Sequence, residues 1–446
     1  MNETITFGVE RKIKMVPTWF QKTTIYQINP RTFSAEGTIK AVTKELTLLA
    51  ELGFGVMYLC PIFEEDSSTD RTHWSKRQLA SQTENPKNPY RMNDYFEIDS
   101  EYGNMQDLRE FVSEAHRLGM RVILDLVYLH IGANARIFQT HPEFAARNED
   151  GSMKLTRWNF AYLNYESEGL REYLWCNMTY YIGVIGVDGF RCDVGDEVPL
   201  DFWCEGKRRI KAINPEAIMI NEGKKPEYLS VFDANYGFSW HSSFYELIHG
   251  SKTASCFVEE YENIKATYLE DGLILRDMDN HDTVTDWPYR IEAYFGSDCM
   301  EAILATNYVI DGIPMVYGGN ELADKARVSM FANRFHMGVF EVTDRNAKGA
   351  DVDRRKKVIK ELNALRANCE ILQNGKTKWY NTDLDRVLHF SRISDKGIIT
   401  FIGNFGSEEI EIALDEKAEN LLSNNACLQN GAWKLSKYGY MIFREK

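Results

Sequence analysis

Four apolar runs in this 446-residue chain end in side chains that can carry protons or charge. One runs into Asp125 and on to His130. The second is Gly189-Phe190-Arg191-Cys192-Asp193, the third ends Asn221-Glu222, and the last ends Asp279-Asn280-His281-Asp282. A carboxylate at the end of an apolar strand is costly unless it is solvated, paired or used in chemistry. Two carboxylates on neighbouring strands suit one demand well, a nucleophile and a proton donor flanking a single bond. Retaining glycoside cleavage makes that demand, with the carboxyl groups about 5–5.5 Å apart. Asp193 and Glu222 are the candidate pair. Arg191 lies two residues before Asp193, so both share one strand face, and its charge would hold Asp193 ionised. The apolar Ile218 to Ile220 precede Glu222, and a less polar setting would raise its pKa, as a general acid requires.

Each residue has a plainer reading. A single aspartate after a strand is commonly a turn or helix cap. Arg191 with Asp193 could be a structural ion pair, and His130 and His281 could be satisfied core histidines. Polar strand ends that recur in order, on the third, fourth, fifth and seventh runs, favour one shared mouth.

The elements that would carry these residues alternate. Thr24 to Ile28 reads as a strand and Thr38 to Leu52 as a helix, with Ile39, Val42, Leu46 and Leu49 at helical spacing and Gly53 as its stop. Val56 to Cys60, Val122 to Val127, Gly189 to Val194, Ala217 to Asn221, Ala234 to Phe238, Leu273 to Arg276 and Ile313 to Tyr317 are the further strands. Helical stretches separate them, including Met105 to Leu118, about 168–183 and about 199–213. Val122 to Val127 is apolar on both faces, the pattern of a buried parallel sheet. Eight such β-run/helix units predict an α/β fold, a (β/α)₈ TIM barrel. The expected barrel covers 1–130 and 167–372, with a short inserted loop domain at 131–166 after the third strand. A second long loop, 61–100, follows the second strand; loops of this length are usually functional. Trp74, Trp158 and Phe160 in these loops could be sugar platforms or loop packing, with packing the reading for Phe160. Beyond 372, short alternating runs (Lys378 to Tyr380, Val387 to Arg392, Ile398 to Ile402, Ile410 to Leu414, Tyr440 to Phe443) predict a C-terminal antiparallel β-sandwich domain, 373–446.

Composition narrows the partners. The net charge of −14 disfavours nucleic acid and anionic membranes, while a neutral carbohydrate is indifferent to it. No apolar run approaches the roughly 18 residues of a membrane span. The eight cysteines are dispersed without a C-x-x-C pair, which argues against zinc and predicts buried free thiols in a reducing compartment. Met1 to Phe20 is polar and lacks an apolar leader core, so a cytoplasmic location is expected, or a secreted or periplasmic one where a leader has been removed.

Several segments together resemble the alpha-amylase family of glycoside hydrolases. Ile25-Tyr26-Gln27-Ile28-Asn29-Pro30-Arg31-Thr32-Phe33 is similar to its first-strand signature, and Tyr90-Arg91-Met92-Asn93-Asp94-Tyr95 to its Tyr-x-x-x-Asp-Tyr segment. The four strand ends resemble its four hallmark motifs, and Gly312 to Glu321 its eighth-strand segment. The resemblance implies Asp193 as nucleophile, Glu222 as general acid/base and Asp282 as the third carboxylate, which grips sugar hydroxyls. It implies that Arg191 positions the nucleophile, that His130 and His281 bond the sugar, and that Tyr90 forms the platform beneath it. Asp193-Val194-Gly195-Asp196-Glu197-Val198 is nearest to the neopullulanase and cyclomaltodextrinase subgroup. Phe160-Ala161-Tyr162-Leu163-Asn164 keeps only the Leu-Asn of that subgroup's matching segment. Its extra N-terminal domain is expected to be absent, since about 23 residues precede the first strand. The family's structural calcium uses an Asn just before the histidine of the first motif. Leu129 stands there without an oxygen donor, so neither metal nor cofactor is expected. The implied activity is hydrolysis of α-1,4 glucosidic bonds, or α-1,6 bonds, in oligo- or polysaccharides. The alternatives are transglycosylation, a sucrose- or trehalose-active relative, and a non-catalytic sugar-binding barrel. The motifs encode no oligomeric state.

Overall fold

The computed structural model describes residues 16–268, 272–333, 347–413 and 418–445. Its centre is a closed barrel of eight parallel strands: β1 Ile25–Ile28, β2 Val56–Leu59, β3 Arg121–Leu126, β4 Gly189–Cys192, β5 Ile218–Asn221, β6 Ala234–Asn235, β7 Leu273–Arg276 and β8 Ile313–Tyr317. Each strand pairs with its sequence neighbours, and β1 closes the ring on β8 through Tyr26 opposite Val316. The strands are apolar because both faces are covered. Ile25, Val56, Tyr58, Ile123, Ile218, Ile220, Ala234, Leu275, Ile313 and Met315 form one buried cluster. The intervening Tyr26, Met57, Leu59, Val122, Leu124, Phe190 and Met219 belong to another, shared with the helices. This period-two split separates a filled barrel interior from a helix-covered exterior.

The first helix, Ile39–Glu51, starts where Thr38 accepts a hydrogen bond from the Ala41 N–H, a cap that contributes about 1 kcal/mol. It ends at Gly53, whose φ of 88° suits a residue without a Cβ. The second helix, Met105–Arg117, carries a reciprocal capping box between Asn104 and Asp107. Helices Glu168–Tyr180 and Leu200–Ile213 follow β3 and β4. The fifth unit departs from the expected strand/helix pattern. A 3₁₀ helix, Pro226–Ser230, is the element between β5 and β6, because the short connection leaves no room for an α-helix that could pack and return. The sixth strand also ends earlier than predicted. Gly237 breaks the run, and Phe238 opens the helix Phe238–His249.

The 131–166 segment is less irregular than its composition suggests. His130–Ile131 pairs antiparallel with Ala161–Tyr162, and isolated bridges join Arg147 to Met153 and Leu155 to Ala161. After the helix Ala350–Asn368 comes an antiparallel sheet: β9 Lys376–Trp379, β10 Val387–Ser394, β11 Gly397–Asn404, β12 Ile410–Ile412, β13 Glu419–Gln429 and β14 Ala432–Glu445. β14 pairs with β11, β12 and β13 along different parts of its length, which folds the sheet over on itself as an open sandwich. The predicted Tyr440 to Phe443 run is the inner part of β14, and β13 is a strand the sequence reading did not contain. The expectation of buried thiols holds for Cys60, Cys192, Cys299 and Cys369. Cys176, Cys204, Cys256 and Cys427 are exposed, and all eight are unpaired. Among the described residues no helix is long and apolar enough to cross a membrane.

Candidate active site

The strand ends converge on one mouth of the barrel. Cys192 and Asn221 lie side by side in the β4–β5 register, so the next residues, Asp193 and Glu222, leave adjacent strands at the same level. The Asp193 N–H donates to Leu126 O (2.8 Å), and the Glu222 N–H donates to Cys192 O (3.0 Å). Val194 follows with φ 43° and ψ 40°, a left-handed conformation that costs a β-branched residue about 1–3 kcal/mol. That turn aims the Val194 N–H at Glu222 Oε2, 2.8 Å away. Beyond β7, the Asn280 side chain caps the helix His281–Asp286 by accepting from the Asp282 and Thr283 N–H groups, which places His281 and Asp282 in its first turn.

A cavity of about 510 Å³ is lined by Tyr90, His130, Asp193, Glu222, His281 and Asp282, together with Arg77, Trp158, Phe160 and Phe331. Six of the seven predicted site residues thus share one space. The seventh, Arg191, is fully buried and holds the pair directly. Its Nη1 donates to Asp193 Oδ1 (2.8 Å) and to Asp125 Oδ1 (2.7 Å), and its Nη2 faces Glu222 Oε2 at 3.0 Å, off the hydrogen-bond angle. A larger open groove of about 1380 Å³ runs along the helix Ala254–Thr267. There Glu260 is taken by Lys252 and Ser243, so size alone does not mark the site.

Burial, then repulsion from Glu222, pushes the Asp193 carboxyl well up, against the pull of Arg191. Burial likewise raises Glu222. Two buried carboxylates beside one guanidinium therefore retain a proton between them above the usual carboxylate range. Asp282 behaves oppositely. Burial acts to raise it, but His281 and Arg77 outweigh burial and hold it well below that range. The Arg77 Nη2 donates to Asp282 Oδ1 at 2.6 Å.

The histidines are fixed as neutral rings. The His281 backbone N–H donates to Gln27 Oε1 (3.2 Å), which orients that amide so that Gln27 Nε2 donates to His281 Nδ1 (2.9 Å). The ring proton is then on Nε2, pointing at the Tyr90 hydroxyl (2.7 Å). The Tyr90 hydroxyl in turn donates a hydrogen bond to Asp125 Oδ2 (3.1 Å). Burial lowers the His281 pKa. The Tyr90 and His281 rings lie nearly parallel, 5.3 Å apart, forming a flat floor. Burial drives His130 down to about 3. Its Nε2 lies 3.8 Å from Asp193 Oδ2, and its ring is flanked by Trp158 and Phe160 at 5.4 and 5.0 Å.

Trp74, by contrast, is loop packing. It is buried, donates to Ser68 O and stacks under Arg71. Phe160, assigned to packing from sequence, does both jobs, since it is buried yet lines the cavity. Three residues absent from the sequence-derived site belong to its architecture. Asp125 and Gln27 anchor Arg191 and His281. Asp196 accepts the backbone N–H groups of Lys224 (2.7 Å) and Lys225 (3.0 Å) and the Asn221 amide (2.8 Å), so it clasps the turn that carries Glu222. Gly223 is required in that turn, because a Cβ would meet Asp196 Oδ1 at 2.1 Å. A calcium at the family's position does not fit these residues. The Leu129 side chain is apolar and buried, and its carbonyl is engaged by the Leu163 N–H (3.2 Å).

The alpha-amylase catalytic-domain model matches residues 14–154. The alpha-amylase MalA of Haloarcula japonica is 24% identical across 92% of this chain and 60% of that protein. A cyclomaltodextrinase from a Bacillus species is 26% identical across 69% of this chain and 60% of its own length. The chain therefore spans about three fifths of these relatives. The crystal structure of an alpha-amylase from Lactobacillus plantarum superposes with a TM-score of 0.79 at 21% identity, covering 96% of this chain and all of that one; it shares the fold. In its N-terminal barrel segment the chain matches the alpha-amylase catalytic-domain model, and its wider sequence similarity and fold lie with proteins named as alpha-amylases and cyclomaltodextrinases.

Proposed function

We propose that this protein is a retaining glycosidase that hydrolyses α-glucosidic bonds of maltooligosaccharides or related glucans. One observation carries the reading: a single buried guanidinium, Arg191, faces both Asp193 and Glu222 in a cavity floored by Tyr90 and His281. That fork supports the close carboxyl spacing of about 5–5.5 Å that a covalent sugar intermediate needs. Asp193 attacks the anomeric carbon while the protonated Glu222 gives its proton to the leaving oxygen. The same Glu222 then takes a proton from water, which releases the sugar with its configuration retained. Asp282, held ionised, accepts hydrogen bonds from sugar hydroxyls, and His130 and His281 bond the ring from either side. No metal enters these steps, and none is proposed at the Leu129 position.

The test is direct. Asp193→Asn and Glu222→Gln are each assayed on maltooligosaccharides, with the product anomer followed by NMR. Loss of at least about a thousandfold in kcat for Asp193→Asn, with an α-configured first product from the wild type, is expected. An Asp193→Asn enzyme with near wild-type turnover, or an inverted product, refutes the reading. Product analysis at high substrate concentration separates hydrolysis from transfer to a second sugar, which the same intermediate would serve.

A further inference from the structure

The geometry points to Arg77 as the residue that closes the far end of the pocket, so that this enzyme removes a terminal glucosyl unit rather than cutting chains internally. The inference rests on the glycosidase reading above.

In an eight-stranded barrel each strand faces the one four places on, so β5 with Glu222 looks across the mouth at β1, flanked by β2 and β8. The leaving group must lie on the Glu222 side, where the proton is delivered. The retained sugar therefore points toward the β2 and β8 connections, and those connections are joined there. Arg77, on the short helix Lys76–Ala80 after β2, reaches the helix after β7. Its Nη2 bonds Asp282 Oδ1 (2.6 Å) and its Nε bonds Asp286 Oδ1 (2.9 Å). The β2 connection is tied to the β8 connection by Asn85 Nδ2 donating to Ala332 O (2.9 Å). The β8 connection is tied to the β7 helix by the Met330 N–H donating to Thr285 Oγ1 (3.1 Å). The Phe331 ring lies 6.0 Å from the Arg77 guanidinium. Three connections thus form one wall. The distance across the pocket is short: Arg191 sits 5.9 Å from the Tyr90 ring, Tyr90 5.3 Å from His281, and the next residue, Asp282, is already in the hand of Arg77. Arg77 Nη1 has no partner among the described residues and borders the cavity, a charged donor for the hydroxyls of a chain end.

The experiment compares a maltoheptaoside bearing a free non-reducing end with the same substrate blocked there by a 4,6-O-benzylidene group. Wild-type enzyme is expected to release glucose first from the free substrate and to turn over the blocked one at least about tenfold more slowly in kcat/KM. Arg77→Ala removes the wall. Asp286→Ala loosens it while leaving the Arg77–Asp282 bond in place. Both are expected to move the free-to-blocked ratio toward one, and Asp286→Ala decides where Arg77→Ala loses its fold by thermal melting. Equal wild-type rates on the two substrates overturn the inference, as does a ratio unmoved in folded Asp286→Ala. Absence of cleavage of every α-glucoside by the folded wild type is a different failure, because it overturns the glycosidase reading and this inference with it.

Discussion

Replacing Asp196 with alanine is expected to slow the chemical step about 10- to 30-fold while leaving KM nearly unchanged. Asp196 touches no candidate catalytic oxygen. It accepts three hydrogen bonds that bind the Asn221–Lys225 turn to the end of β4. A hydrogen bond of this kind contributes about 0.5–1.5 kcal/mol. The Lys224 and Lys225 N–H groups are exposed and can turn to water, so their loss costs the lower end of that range. About 2 kcal/mol in all is available to misplace Glu222, and at about 1.4 kcal/mol per tenfold the ceiling is roughly 30-fold. The loss belongs to proton delivery, which gives the assay its discrimination. kcat/KM is measured on a maltooligosaccharide, whose leaving oxygen needs a proton, and on α-glucosyl fluoride, whose leaving group does not. The defect should shrink to within about threefold on the fluoride. An equal defect on both substrates, or one confined to KM, would show that Asp196 does not act through the placement of Glu222.

Two further outcomes follow from the same geometry. With Asp193 and Glu222 both pushed up, the active enzyme holds one proton on the pair, and activity falls as rising pH removes it. The alkaline limb of kcat/KM should lie clearly above the ~4.3 of a free glutamate; a limb at that ordinary value would contradict the coupling. Trp203 is fully buried, stacks on Tyr128 (6.0 Å, 8° between planes) and donates to Gly195 O (3.1 Å) just behind the Asp193–Val194 turn. Trp203→Ala should lower unfolding free energy by about 3–5 kcal/mol in urea titrations. A change below about 1 kcal/mol would mean the site collapses around the hole.

The barrel and the carboxylates were legible for the same reason. A parallel sheet buried on both faces leaves its strands as apolar runs, and any ionisable residue at their ends stands out. The sequence could not show what faces those residues. Arg77 lies on a five-residue helix in a long loop, with neither periodicity nor a motif to single it out. Its role arises only because the β2 and β7 connections meet in space. Asp196 was in view within the Asp193 to Val198 segment, but its clasp on the next strand's turn depends on the β4–β5 register. The missing helix after β5 was masked by Tyr228 and Leu229, which are buried as helix residues would be, though they sit on a 3₁₀ turn. β13 went unseen because Glu419-Asn420-Leu421-Leu422-Ser423-Asn424-Asn425 reads as a loop. β14 recruits it by pairing along its whole length, with irregularities at Asn420/Leu422 and Asn424/Ala426 absorbing the misfit.

The distribution of cations explains how three acids in one small cavity can take three roles. Arg191 is shared among Asp125, Asp193 and Glu222. Asp125 also draws hydrogen bonds from Tyr58 (2.6 Å) and Tyr90 (3.1 Å), so it needs the guanidinium least. Asp193 and Glu222 are left to compete for one charge, and the competition keeps a proton on the pair. Asp282 has the Arg77 guanidinium bonded to it, so it stays an anion. Had Arg77 been placed on the Asp193–Glu222 pair, both members would ionise and the acid would be lost. With Arg77 at Asp282 instead, the cation that walls the pocket also keeps the third carboxylate from taking the proton that Glu222 must deliver.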